Sequence, residues 1–104
     1  MIARHWKGIA KREEADNYIA HLKEDTFPKL SSLKGFVSAS ILRRNTDKGI
    51  EFLIITLWES LEAIQQFAGE SVHTAVVPAV AQAMMVEYDT EVSHYEIAES
   101  YPST

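Results

Sequence analysis

Residues 52–69, FLIITLWESLEAIQQFAG, carry a strand pattern straight into a helix pattern. Phe52 to Trp58 is an unbroken run of β-branched, aromatic and aliphatic side chains, the composition of a strand buried on both faces. Glu59 and Ser60 break the run, and Ser60 can cap a helix by accepting a bond from a free N–H at its start. Glu62 puts a negative charge in the first turn, where the helix dipole favours it. Leu61, Ile64 and Phe67 follow at spacings of three, with Ala68 on the same face, and Gly69 stands where a left-handed cap ends the helix. Trp58 and Glu59 therefore occupy a strand-to-helix joint, in a small α+β domain.

On the N-terminal side, Met1 to Ile9 alternates like a strand, with Ile2, Arg4 and Trp6 on one face and Ala3, His5 and Lys7 on the other. Gly8 marks its end or a bulge. Residues 11–30 form a helix, with Ala15, Tyr18, Ile19 and Leu22 as its apolar stripe and a charged opposite face. Phe27-Pro28 bends or restarts that helix, and Gly35 turns the chain. Phe36 to Arg44 is a second strand, with Phe36, Ser38, Ser40 and Leu42 on one face and Val37, Ala39, Ile41 and Arg43 on the other. The turn Asn45 to Gly49 joins it to the strand beginning at Glu51 as an antiparallel hairpin.

Beyond Gly69 the pattern loosens. Val72 to Val86 is apolar with few charges, and Pro78 interrupts it, which predicts a helical turn, a break and a second helical piece through Met85. Val92 to Ile97 is the last strand, and Ala98 to Thr104 is a tail. The order is β-α-β-β-α-β, the ferredoxin-like arrangement: a four-stranded antiparallel sheet with both helices on one face. The apolar character of both faces of strands one to three predicts that a second copy covers the helix-free face, giving a homodimeric barrel.

Composition sets limits around this fold. A length of 104 residues fits one domain, 1–104, and 46% apolar residues suffice for a core without staples. The absence of cysteine removes disulfides, thiol nucleophiles and thiolate metal sites. A net charge of −5 argues against a nucleic-acid surface. No apolar stretch approaches the roughly 20 residues of a membrane helix, and the start lacks a signal-peptide core, so the expectation is a cytoplasmic protein with no membrane partner.

MIARHWKG at the start, FLIITLWESLEAIQQFAG in the middle and VSHYEI near the end closely resemble the antibiotic biosynthesis monooxygenase-like proteins of the dimeric α/β-barrel superfamily. The resemblance covers nearly the whole chain and implies about 100-residue ferredoxin-like subunits paired as dimers. It leaves chemistry open, because the superfamily holds cofactor-free oxygenases of aromatic polyketides, haem-degrading enzymes, isomerases, decarboxylases and proteins of no assigned role. The polyketide oxygenases carry the tryptophan of W-E-S, matched by Trp58, but also an asparagine four residues earlier, where this chain has Ile54. The tryptophan and iron-binding histidine of the haem-degrading branch are replaced by Phe67 and Val77, and the first strand contains no asparagine. Losing the iron ligand removes the chemistry on which that branch depends.

The resemblance thus implies a monooxygenase working without metal or flavin on a small phenol- or quinol-like ligand held between helices and sheet near Trp58. Trp58 is the candidate for positioning the substrate and dioxygen; its structural alternative is a core ring closing the corner. Arg4, on a face with Trp6, is placed to stabilise a phenolate or enolate, or else stacks on a ring at a surface or interface. His73 is the candidate base, in the irregular segment expected to rim the pocket; as an exposed helical histidine it would do nothing. Trp6, Tyr18, Ile54, Phe67 and Val77 complete the expected pocket. The histidines (His5, His21, His73, His94) show no spacing typical of a metal site. Two other functions stay open: a non-catalytic binding or stress-response module, favoured by Ile54, and a cofactor-free isomerase or decarboxylase.

Overall fold

Pairing begins at the run that closes on Trp58. In the computed structural model, which describes residues 1–102, β1 (Ile2–Ala10) lies antiparallel to β3 (Ile50–Trp58), with Ile2 opposite Trp58, Arg4 opposite Thr56 and Trp6 opposite Ile54. β2 (Phe36–Asn45) pairs with the other side of β3 through the predicted hairpin. Between β1 and β2 run a 3-10 turn (Arg12–Glu14), α1 (Ala15–His21), a π turn (Leu22–Thr26) and α2 (Phe27–Ser31). After β3 come α3 (Leu61–Ala68), α4 (Ala79–Gln82), β4 (Met85–Tyr88) and β5 (Ser93–Glu96). The result is an antiparallel α+β fold of the ferredoxin-like type.

Five strands occupy four lanes in the order β2-β3-β1-β4, with β5 also on β1. The edge lane is split: β4 pairs with Gly8–Ala10 and β5 with Ile2–His5, and Asp89–Val92 loops out between them. This corrects the expected helical piece through Met85. The helix stops at Gln82, because the free edge of β1 requires backbone partners that a helix cannot give. Gly8 does not end β1, which continues to Ala10; it makes room for Trp6, whose ring would lie 2.5 Å from a Cβ added there.

Register sorts the faces. Ile50, Phe52, Ile54, Thr56 and Trp58 are buried under the helices, while Leu53, Ile55 and Leu57 on the opposite face are half-buried. The run 52–58 is thus buried on one face of this chain, not on both. A bulge between Phe36 and Ser38 shifts β2, so Phe36 joins Ala39 and Ile41 on the helix side and meets the Trp58 ring edge-on at 5.3 Å. The alternation expected from Phe36 onward fails at that one extra residue.

The helix ends follow local chemistry. Ser60 Oγ accepts from the Ala63 N–H at 3.2 Å, and Gly69 closes α3 at φ 76° with its N–H on Gln65 O. Pro28 lacks the N–H that would bond back to Glu24, and just before it the helix widens so that the Phe27 N–H reaches Leu22 O. The expected bend at Phe27-Pro28 is therefore a π turn inside a continuing helix. Ala98 to Pro102 has no regular structure, and the last two residues of the expected tail lie outside the described residues.

The interior divides into two apolar clusters. One joins Tyr18, Leu22, Phe52, Ile54, Ala81 and Met85; the other joins Leu30, Trp58, Ala63 and Ile64. Phe27 packs against both.

Candidate functional site

Where those clusters fail to merge there is a cavity, about 590 Å³ with its open mouth included. Its walls are mostly apolar: Trp6, Tyr18, Leu22, Phe27, Ile54, Phe67 and Val77 are among its lining residues. All five expected pocket residues (Trp6, Tyr18, Ile54, Phe67 and Val77) therefore face one space, together with Arg4. Phe67 and Val77 offer a metal no ligand atom. Val76, which also lines the cavity, is 44% exposed and places the mouth near the 70–78 segment.

Arg4 is the charged group in this wall, and it is 5% exposed. Its Nη1 donates to Val72 O at 2.5 Å and lies 3.0 Å from His94 Nε2, and its Nη2 donates to Thr74 O at 3.1 Å. The carbon of the guanidinium sits 5.7 Å from the centre of the Phe67 ring. No carboxylate pairs with Arg4 among the described residues. Burial pulls its pKa down to about 10, so it remains a cation at neutral pH. Its partners are neutral dipoles, which satisfy N–H groups without cancelling the charge. Nε–H and one Nη2–H have no partner among the described residues.

His94 shares the tension. An arginine N–H can only donate, so Nε2 accepts, and the neutral ring carries its proton on Nδ1. That Nδ1 is buried and has no hydrogen-bond partner among the described residues. Desolvation, then Arg4, then His73 lower the pKa of His94.

Trp58 and His73 do not reach the cavity wall. Trp58 is fully buried, stacked on Phe67 at 6.4 Å, and its indole Nε1–H donates to Thr56 Oγ1 at 2.8 Å. Thr56 does line the cavity, and with its oxygen occupied its O–H remains available as a donor. His73 is exposed and outside the cavity wall, its ring 5.2 Å from that of His94 and its carbonyl accepting from the N–H of cavity-lining Val92. Trp6 is steadied by its indole N–H on Asp89 O at 2.9 Å and by the Tyr18 ring at 6.2 Å. Burial pushes the Tyr18 phenol well up, so it stays neutral.

Two polar residues of the wall have no signal in hydrophobic periodicity: His21 and Thr26, at the two ends of the π turn. Thr26 Oγ1 lies 3.3 Å from His21 Nε2. Positions five apart on an α-helix stand about 140° around the axis from one another, so only the widened turn brings them together. The signal that could have found them is Pro28 after a polar run. Among the described residues no cluster of three or more His, Cys, Asp or Glu is placed to hold a metal ion. Among them also, no helix is long and apolar enough to cross a membrane.

Comparisons agree with this architecture. No curated protein matches the chain significantly by sequence. Among solved structures, a point variant of SnoaB, a cofactor-independent oxygenase from Streptomyces nogalater, matches 98% of this chain and 97% of its own at 14% identity and TM-score 0.69. A candidate antibiotic biosynthesis monooxygenase from Bacillus cereus matches 100% and 97% at 16% identity and TM-score 0.66. A variant of MhuD, crystallised with two manganese protoporphyrin IX per active site, matches 99% and 100% at 16% identity and TM-score 0.63. At these identities the likeness is one of fold. The sequence model of the antibiotic biosynthesis monooxygenase family, however, matches residues 1–79, most of the chain and every strand of the cavity floor but the edge lane. The chain belongs to the antibiotic biosynthesis monooxygenase family.

Proposed function

We propose that this protein is a cofactor-independent oxygenase of a small phenol- or quinol-like substrate, bound between helices and sheet. One observation carries the proposal: a buried guanidinium without a carboxylate partner among the described residues, in the wall of a mostly apolar cavity. Such a site favours a flat apolar molecule that becomes an anion when bound. The phenol loses its proton, and the phenolate oxygen is held by the spare N–H groups of Arg4. The electron-rich ring passes one electron to dioxygen, and the radical pair joins at a ring carbon bearing hydrogen. The hydroperoxide then loses water to leave a quinone, so one oxygen atom enters the product and the other leaves as water, with no outside reductant. Trp58 acts at one remove, fixing the Thr56 hydroxyl that faces the substrate. His73 acts only through its contact with His94. The family and the oxygenase activity of SnoaB support this chemistry.

The unit is a homodimer under the same proposal. Leu53, Ile55 and Leu57 with the exposed Val37, Leu42 and Tyr95 form an apolar helix-free face of the kind a second copy would cover. Native mass spectrometry should give twice 11.7 kDa; a monomer at micromolar concentration would exclude it.

Ile54 favours a second reading. It puts an alkyl group where a hydrogen-bonding amide would orient a substrate, as suits a binding module without turnover. An oxygen electrode with 1-naphthol and 1,4-dihydroxynaphthalene separates the two. The oxygenase consumes one dioxygen per quinone formed, and Arg4→Met abolishes this. A rise in melting temperature with the same compounds but no oxygen uptake would establish the binding module instead.

A further inference from the structure

We propose that His21, held by Thr26 across the π turn, is the group that takes the substrate's proton, a role for which the sequence had pointed to His73. The inference rests on the phenol reading above and names the base that it leaves open.

Three observations converge. His21 is the only histidine lining the cavity among the described residues, whereas His73 is exposed and outside it. The π turn places a second cavity-lining side chain, Thr26, at 3.3 Å from one ring nitrogen, which fixes the plane of the imidazole. The other ionisable side chains in the wall cannot serve: Arg4 is a cation, and burial keeps Tyr18 protonated. A neutral imidazole is a base that can both accept a proton and return it.

The cycle balances. The phenol O–H breaks and an N–H forms on His21, leaving the phenolate against Arg4. After the ring and dioxygen have joined, the peroxide anion takes the proton back from the imidazolium. Loss of water then gives the quinone and a neutral His21. Thr26 is a positioning residue in this cycle, since it orients the ring and transfers nothing.

Two readouts separate this proposal from the oxygenase reading. The first is equilibrium binding of 4-nitrophenol, which turns yellow on ionising, at a pH where it is mostly protonated in solution. Wild type should bind it as the yellow phenolate. His21→Gln, left with Arg4 alone to favour the anion, should bind a clearly smaller fraction of it as the yellow form, with circular dichroism confirming the fold, and Thr26→Val should give an intermediate result. Equal yellow binding by wild type and His21→Gln overturns the role of His21 and leaves the phenol site standing. No binding by wild type overturns both. The second readout is the pH profile of oxygen uptake. His21→Gln should lose about a hundredfold near neutral pH and recover at alkaline pH, where the phenol ionises unaided. A uniform loss at every pH would mean a structural role, and would overturn the proposal.

Discussion

Trp58 and Arg4 stand two residues apart across the β1–β3 pair and are both buried, yet they are buried in opposite ways. Trp58 has no unmet demand: its ring packs between Phe36 and Phe67, and its one polar atom has Thr56. Arg4 has three neutral partners, a net charge that none of them cancels, and a cavity in front of it. A satisfied buried group reports on stability, and an unsatisfied one beside empty space reports on binding. Both positions were legible as special in the sequence, but only their partners tell the two kinds apart.

The comparison breaks most easily at Trp58. Trp58→Ala removes the largest fully buried side chain among the described residues and should destabilise the fold by about 3–5 kcal/mol, measured by urea denaturation. Trp58→Phe keeps most of the packing and loses only the indole N–H. It should retain most of its stability and bind phenols, with a modest loss of oxygen uptake through the freed Thr56 hydroxyl. A Trp58→Phe protein of normal stability that is wholly inactive would place Trp58 in direct contact with the chemistry.

Arg4→Met should behave the other way. It removes a desolvated charge but strips Val72 O and Thr74 O of their donors, a net cost of about 1–3 kcal/mol. The damage should be local, appearing as faster hydrogen exchange in residues 72–75 while β3 keeps its protection. Anion binding and oxygen uptake should both disappear. If Arg4→Met kept phenolate binding, the functional half of the comparison would fall.

How much of this was legible follows the same division. The joint at 58–60 could be read outright, since Ser60 and Gly69 act through contacts a few residues away. The five apolar pocket residues could be assigned because they follow strand or helix periodicity or the family resemblance. The bulge at Phe36–Ser38 was invisible, because one extra residue leaves the composition of a strand unchanged. β4 was misread because Val86 and its neighbours form a strand only in the presence of the β1 edge, a demand from the far end of the chain. The proposed choice of His21 over His73 as the base has a related ground. His73 lies in an irregular segment whose path periodicity cannot trace, and helical periodicity does nothing to set His21 apart; the widened turn after it does.

The smallest effect tests whether the Arg4 side is strained as its contacts imply. His94 accepts from Arg4 only when Nε2 is unprotonated, and protonation would add a cation beside Arg4 and close to His73. Desolvation and these two neighbours hold its pKa below the ordinary 6.5. The unfolded chain therefore binds this proton more readily than the folded one. His94 contributes its full stability above about pH 6.5, and that contribution is lost as pH falls through the lower folded value. The melting temperature should decline from pH 7 towards pH 5, and His94→Gln should flatten the decline. Because the proton disrupts the contact that ties β5 to β1 at Arg4, hydrogen exchange at residues 72–75 and 93–95 should quicken before that of β3. A decline that persisted unchanged in His94→Gln would move the pH sensitivity to another group and remove the evidence that the Arg4–His94 contact is strained.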